Sequence, residues 1–338
     1  MGWFTVTSAV GIDVGQAEVK GVSLGRKGSA VHVRSSAALD CQAEGIVGTK
    51  ELYSSISGWL GEQSWQREEL VFGIPQDLGT TQLADFPAAS DRNMDNMVRY
   101  ETQQLSGLSD ESFLHDYTVL SPAYGRKNPA LICLCKQSVI DERQDELAEA
   151  EISPADFGLN GLAMANAYLD LYPDAAEPEE PQLLLDIGHT STTFVILVQD
   201  SVYYCGSLVF GSERYTRELA DALNVSEEEA EETKKTSRLN PEDRDSALYE
   251  TTQVLETELH SALEQWRNQE RQELAGKMFS RVCLCGGGAR LGGLEDYFAR
   301  SFGCETRTIG VSDPQEGEEA EPDPMLVTAY GLALQGVG

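Results

Sequence analysis

The stretch LLLDIGHTSTTFVILV, Leu183 to Val198, decides how the rest of the chain is read. Its apolar run, Leu183 to Leu185, reads as a buried strand ending in Asp186. A tight turn follows, Gly188-His189-Thr190-Ser191, and the β-branched run from Thr192 to Val198 reads as the returning strand. A carboxylate at a strand end, beside a glycine turn rich in N–H and hydroxyl groups, suits Mg²⁺ and phosphate. Taken alone, the pattern is also ordinary turn chemistry. An echo near the N-terminus lifts it. In VGIDVGQAEVKGVSL, Val10 to Leu24, an apolar run again ends in Asp-x-Gly, Asp13 and Gly15, before a polar turn and a second apolar run. Two copies about 170 residues apart suggest a duplicated fold with two phosphate-binding turns.

The chain has 338 residues, which favours two domains or one duplicated domain with insertions, and its 41% hydrophobic content is ample for cores. No apolar run approaches the roughly 20 residues of a membrane span, and MGWFTVTSAVG lacks the basic start and long apolar core of a signal peptide. Trp3 and Phe4 are expected to pack on the domain as part of a tail. The net charge of −31 excludes nucleic-acid and anionic-lipid surfaces as direct partners, since both would repel the chain. Basic partner segments remain compatible, and so does an acidic surface that serves only solubility. The seven cysteines form no CxxC pair and no zinc spacing. Cys133/Cys135 and Cys283/Cys285 lie two apart in apolar runs, one face of a strand each, and read as buried, reduced thiols of a cytoplasmic protein.

Taken in order, the first block predicts strands at Ala9–Val14, Glu18–Leu24 and Ala30–Ala38. A helix from Lys50 to Glu62 and a strand, LVFGIP, follow. From Gln76 to Ile152 the pattern reads as a small inserted α/β subdomain. It has a loop through Phe86-Pro87, a helix over Asp91–Leu105, an edge-like run HDYTVLSP, a buried strand at Ala130–Cys135 and a helix from Gln137 to Ala150. DFGLNGLAMANAYLDLY reads as one apolar helix, ended by the proline-broken acidic linker Pro173–Pro181. The second half repeats strand, strand, strand, helix. Ser226 with Glu229 forms a capping box, Asp243 to Gln272 reads as one long helix with an apolar stripe, and Arg281–Cys285 is a strand running into Gly286-Gly287-Gly288. The acidic stretch Ser312–Pro324 is expected to be a mobile loop before a last helix, MLVTAYGLAL.

Chemically, Gly15 and Gly188 let the chain approach phosphate, while Gln16, Thr190, Ser191 and Thr192 offer side-chain donors. His189 can also donate to phosphate, though a solvent-facing turn residue is the plainer reading. Asp13 and Asp186 would hold Mg²⁺ through water, because that ion dehydrates reluctantly. Lys20 supplies a positive charge, and the triple glycine leaves a crevice lined by backbone alone. There is no GxxxxGK[ST] and no GxGxxG in dinucleotide-binding spacing.

In this order the motifs resemble the actin-like ATPase superfamily, which has the ribonuclease H-like α/β fold. GIDVGQAEVK, including Ala17, is similar to its phosphate 1 motif and LLDIGHTSTT to phosphate 2. CLCGGGARLGGL, with Ala289 after the glycines, resembles the adenosine motif, and the helix from Met325 to Gln335 resembles the second connecting helix. EEAEETKK resembles the AExxK segment of bacterial members, which implies Glu231 and Lys234 beside ribose and adenine. Within the superfamily the order of VFGIP, HDYTVL, FGLNGLAMANAYL and EAExxK resembles the PilM family of type IV pilus assembly proteins, related to FtsA.

That resemblance implies duplicated βββαβα domains. Subdomain 1A would comprise residues 1–75, 153–180 and 325–338, and an inserted 1C would comprise 76–152. Subdomain 2A would comprise 181–210 and 281–311, and a helical 2B would comprise 211–280. It implies ATP and Mg²⁺ as cofactors and, as partner, the cytoplasmic N-terminal tail of an inner-membrane PilN-like protein, held around 1A and 1C. The protein would then be cytoplasmic and peripheral to the inner membrane through that partner, with self-association an option. The chain stops just after the connecting helix, without the linker and amphipathic helix usual in FtsA, which favours PilM.

Two departures bear on catalysis. Gln16 stands where a serine or threonine is common, and Asn160 stands where an acidic residue or glutamine often sits. An amide orients water but is no general base at neutral pH. With Asp186 and Asn160 as the catalytic candidates, the expectation is nucleotide binding with at most slow ATP hydrolysis. The leading reading is a scaffold of a type IV pilus or type II secretion-like machine whose ATP state sets its grip on a membrane protein's tail. The alternatives are an FtsA-like filament protein and an actin-fold small-molecule kinase.

Overall fold

The two Asp-x-Gly turns sit at matching places in two sheets of one design in the computed structural model, which describes residues 8–46, 48–87, 91–106, 111–152, 155–314 and 321–337. In the first half, β1 (Ser8–Val14), β2 (Glu18–Lys27) and β3 (Ala30–Asp40) form an antiparallel meander. Helix α1 (Thr49–Glu62) crosses to β4 (Glu69–Ile74), which lies parallel to β1. The inserted segment contributes β5 (Gly79–Asp85), α2 (Asp91–Ser106), β6 (Phe113–Val119), β7 (Pro129–Lys136) and α3 (Gln137–Glu149). Its strands form a separate antiparallel sheet, β5-β7-β6, with β6 on the edge. The chain then returns through β8 (Ala155–Leu159) and α4 (Asn160–Leu171).

The second half repeats the meander with β9 (Gln182–Ile187), β10 (Thr192–Val198) and β11 (Ser201–Leu208). A helical group follows, α5 (Glu213–Leu223), α6 (Glu227–Thr236), α7 (Ala247–Gln269) and the short α8 (Gln272–Ala275). The half closes with β12 (Arg281–Cys285), α9 (Leu294–Phe302) and β13 (Glu305–Thr308), and α10 (Val327–Gly336) returns to pack on β1, β2 and β4 of the first sheet. The sheet orders are β3-β2-β1-β4-β8 and β11-β10-β9-β12-β13, with the same parallel and antiparallel pairings. This is the duplication that the echoed hairpins imply.

Each half buries its own core. Ile12, Val19 and Phe72 pack under Tyr53, Ile56, Trp59 and Leu60 of α1, and burying each large side chain stabilises the fold by about 1.5–3 kcal/mol. The stripe Leu248, Thr252, Leu255, Leu259 and Trp266 of α7 faces its own half and is buried there. The halves meet where α4 crosses α10. A Cβ on Gly331 would stand 1.8 Å from the Ala163 carbonyl oxygen, so only glycine permits that approach.

Three expectations change. The loop expected after Gln76 contains strand β5, which pairs with β7 but carries a single large apolar residue, Leu83, too few to mark a strand in the sequence. The stretch read as one helix splits at Asn160, because Ala155–Leu159 pairs parallel with β4 as the half-buried edge strand of its sheet, and so short a run ahead of an apolar helix reads as part of that helix. The long helix is shorter than expected: Ser246 caps its start, and the extended backbone of Glu270 stops it. Ser226 caps α6 as expected, accepting from Glu229 N at 3.2 Å. Trp3, Phe4 and residues 315–320 of the acidic loop lie outside the described residues. Among the described residues, no helix is long and apolar enough to cross a membrane.

Candidate functional site

A cleft cavity of about 950 Å³ lies where the two turns face each other. In the first turn, Gly15 N donates to Glu18 O at 3.1 Å, closing a loop too tight for a side chain, since a Cβ on Gly15 would meet Glu18 O at 2.7 Å. The β1–β2 register puts Lys20 directly opposite Asp13, and Lys20 Nζ lies 3.3 Å from Asp13 Oδ2. Burial alone would lower the lysine pKa, but the charges of Asp13 and then Asp186 hold it above its ordinary value. The second turn is closed by Gly188 N donating to Ser191 O at 2.9 Å, and Glu213 N at the start of α5 donates to His189 O at 2.9 Å.

Asp186 is pushed up to about 6 by burial and by the neighbouring charge of Asp13, despite a hydrogen bond from Thr328 Oγ1 at 2.8 Å. Asn160, at the start of α4, donates from Nδ2 to Asp13 Oδ1 at 3.2 Å, while its Oδ1 packs against Gly73 with no hydrogen-bond partner. Gly286 has a left-handed φ of 83°, and a Cβ there would stand 2.2 Å from Asp186 Oδ1. The glycine wall therefore sits against the carboxylate itself. At the far end, Glu231 Oε2 accepts from Thr216 Oγ1 and from Lys234 Nζ, both at 2.6 Å, and Lys234 also reaches Ser212 O at 3.3 Å.

Of the residues singled out in the sequence, the cleft gathers Asp13, Gly15, Gln16, Ala17, Lys20 and Asn160 from the first half. From the second half come Asp186, Gly188, His189, Thr190, Ser191, Glu231, Lys234, Gly286, Gly287 and Gly288. Thr192 and Ala289 are corrections. Thr192 is fully buried with its hydroxyl donated to Phe210 O at 2.7 Å, and buried Ala289 does not line the cavity. Sequence reasoning missed Thr328, which holds Asp186 from α10, and Gln76, an almost fully buried amide at the cleft edge. It also missed Gln42, outside the cavity lining, whose Nε2 comes within 3.4 Å of His189 Nε2. A lone hydroxyl in the apolar helix MLVTAYGLAL was the available signal for Thr328.

The donor set suits a hydrated cation better than a bare one. Among the described residues, no cluster of three or more His, Cys, Asp or Glu could cage a metal. Two carboxylates facing one cavity suit Mg²⁺, which keeps water and phosphate as most of its ligands.

A second cavity, of about 480 Å³, lies behind the cleft. Asp116 to Ser121 of the inserted sheet form one wall, and Leu162, Asn166 and Leu169 of α4 form another. Asp200–Val202, at the β10–β11 turn, closes it.

A family model described as type IV pilus assembly protein PilM matches residues 11–337. The cell division protein FtsA of Borreliella burgdorferi is 25% identical over 193 residues, 51% of this chain and 46% of that protein. The chain thus spans about half the length of the curated relative it matches. Among solved structures, a PilM-PilN type IV pilus biogenesis complex superposes with a TM-score of 0.77 at 22% identity, covering 99% of this chain and 100% of that one. MreB5 of Spiroplasma citri bound to ADP gives a TM-score of 0.57 at 11% identity, covering 98% and 96%. At these identities the likeness is one of fold, and the fold is that of the actin-like ATPases.

Proposed function

The chain belongs to the type IV pilus assembly protein PilM family, and from that premise we propose that it is an ATP-binding scaffold that holds the cytoplasmic N-terminal tail of a PilN-like inner-membrane protein. The observation that carries the nucleotide half is the pair of Asp-Gly turns facing one cavity with the glycine wall between them. Backbone N–H groups of the Gly15–Ala17 and Gly188–Ser191 turns would hold phosphates from both sides. Lys20 adds positive charge, and Asp13 and Asp186 would hold Mg²⁺ through water. When bound, Mg²⁺ neutralises and orients the triphosphate. Glu231, Lys234 and the backbone of Gly286–Gly288 would frame ribose and adenine.

Binding is favoured over turnover. The Asn160 amide nitrogen is engaged by Asp13, and Gln16 brings no hydroxyl. We assign residues 1–75, 153–180 and 325–338 to subdomain 1A and 76–152 to 1C, with 181–210 and 281–311 as 2A and 211–280 as 2B. The second cavity, where 1C, 1A and the β10–β11 turn of 2A meet, is lined by Asp116 and Asp200 and suits a basic juxtamembrane segment. The protein would then reach the inner membrane through its partner.

Fluorescence anisotropy with a labelled basic tail peptide tests this. Low-micromolar binding that weakens with salt, and weakens about tenfold in Asp116→Asn/Asp200→Asn, is expected. No binding at low salt, or equal binding to the double variant, would overturn the peptide assignment.

A further inference from the structure

A buried charge cluster, outside the lining of either cavity, fastens the inserted sheet to the second half. Arg126, in the β6–β7 loop, donates from Nη2 to Glu270 Oε1 at 2.5 Å; their side chains are 10% and 5% exposed. Asp85, at the end of β5, sits 3.7 Å from Arg126 Nη1 and is also paired with Arg271, which in turn donates to Gly125 O at 2.6 Å. Tyr124 and Gly125 both adopt left-handed φ, 46° and 75°, and so turn Arg126 inward toward the end of α7. Tyr203 of β11, almost fully buried beside these charges, has no hydrogen-bond partner for its hydroxyl.

The cluster closes a continuous chain of contacts between the two cavities. The second turn of the cleft accepts a bond at His189 O from Glu213 N, the first residue of α5. Helix α5 is tied to α7 by Tyr215 OH and Thr252 Oγ1 at 3.1 Å. Helix α7 stops at Glu270, which holds Arg126, and the cavity wall Asp116–Ser121 ends five residues before Arg126. Strand β11 runs alongside, with Ser201 and Val202 in the second cavity and Ser207 and Leu208 in the cleft.

We propose that the Arg126–Glu270 pair is the coupling element between the cleft and the second cavity. It makes the inserted sheet move with the second half, so that a change at the phosphate turns reshapes the wall formed by Asp116–Ser121. A buried ion pair suits such a task, because its worth lies in fixing one arrangement rather than in stability. This inference rests on the functional reading above, in which the cleft takes Mg²⁺-ATP and the second cavity takes a basic tail.

Titration calorimetry with Mg²⁺-ATP and a basic tail peptide, each alone and each in the presence of the other, tests it. In the wild-type protein each ligand should tighten the other by about tenfold, the reciprocal factor that linkage requires. Arg126→Met/Glu270→Met removes both charges together, so that neither is left buried and unpaired. It should bind each ligand alone as before while the coupling factor falls to about one. Arg126→Lys, which keeps a cation between Glu270 and Asp85, should retain most of the coupling. An undiminished factor in the Met pair, even with a lower melting temperature, would make the cluster structural cement and overturn the inference while leaving the functional reading intact. Failure of either ligand to bind the wild-type protein would overturn the reading and the inference with it.

Discussion

Asn160 Nδ2 lies 3.2 Å from Asp13 Oδ1, so the first residue of α4 is hydrogen-bonded to the carboxylate that closes β1. The amide orients Asp13 from one side while Lys20 holds it from the other.

Asn160→Ala should therefore loosen Asp13 and weaken Mg²⁺-nucleotide binding. A hydrogen bond to a charged group contributes about 1.5 kcal/mol or somewhat more, so roughly a tenfold loss of affinity is expected by calorimetry. Affinity without Mg²⁺ should change less. Equal losses with and without Mg²⁺ would show that Asn160 acts on something other than Asp13.

The contact between α4 and α10 makes a sharper structural prediction. A side chain on Gly331 has no room beside the Ala163 carbonyl. Gly331→Ala should cost about 1–3 kcal/mol in denaturant unfolding, although alanine is the better helix former. An unchanged midpoint would mean that the two helices do not cross at that distance.

The Glu231–Lys234 pair carries a pH signature. Burial pushes the Glu231 carboxyl up, but hydrogen bonds from Lys234 and Thr216, with the charge of Lys234, outweigh it and hold the group below the ordinary value of 4.5. A depressed folded value means that the stabilisation is present above the ordinary carboxylate value and lost as pH falls through the folded one. Glu231→Gln should melt earlier than wild type near pH 7, and the gap should close as pH falls below about 4.5. A gap that stays constant down to about pH 3 would contradict this.

The thiols should be inert in the native protein. Burial raises the Cys205, Cys283 and Cys285 thiols above their ordinary range. A short iodoacetamide pulse at about pH 8, read by mass spectrometry, should leave these three unmodified until denaturant is added. Prompt native labelling of any of them would show that its strand opens readily.

Both sheets were legible because each begins with the same signal, an apolar run broken by Asp-x-Gly, and the signal repeats. Most elements that line the cleft were legible for the same reason, being turns of a few adjacent residues. What escaped was long-range or chemically quiet. The partners of Asn160–Asp13 are 147 residues apart and those of Arg126–Glu270 are 144 apart, and no local pattern in a single sequence announces such meetings. Strand β8 was hidden by its shortness and by the apolar helix that follows it, and β5 by having a single large apolar residue, Leu83. Thr192 was misread because its hydroxyl looks free in the sequence, whereas the fold turns it inward to Phe210 O.

In the reading proposed above, the facing turns form a Mg²⁺-dependent nucleotide site anchored by Asp186. Titrating ATP into the wild-type protein and Asp186→Asn, with and without Mg²⁺, tests it most directly. Wild type should bind ATP saturably, more tightly with Mg²⁺ and with a raised melting temperature, and the binding of the variant should no longer respond to Mg²⁺. No heat and no thermal stabilisation of wild type at millimolar Mg²⁺-ATP, or an unaltered Mg²⁺ response in the variant, would contradict it.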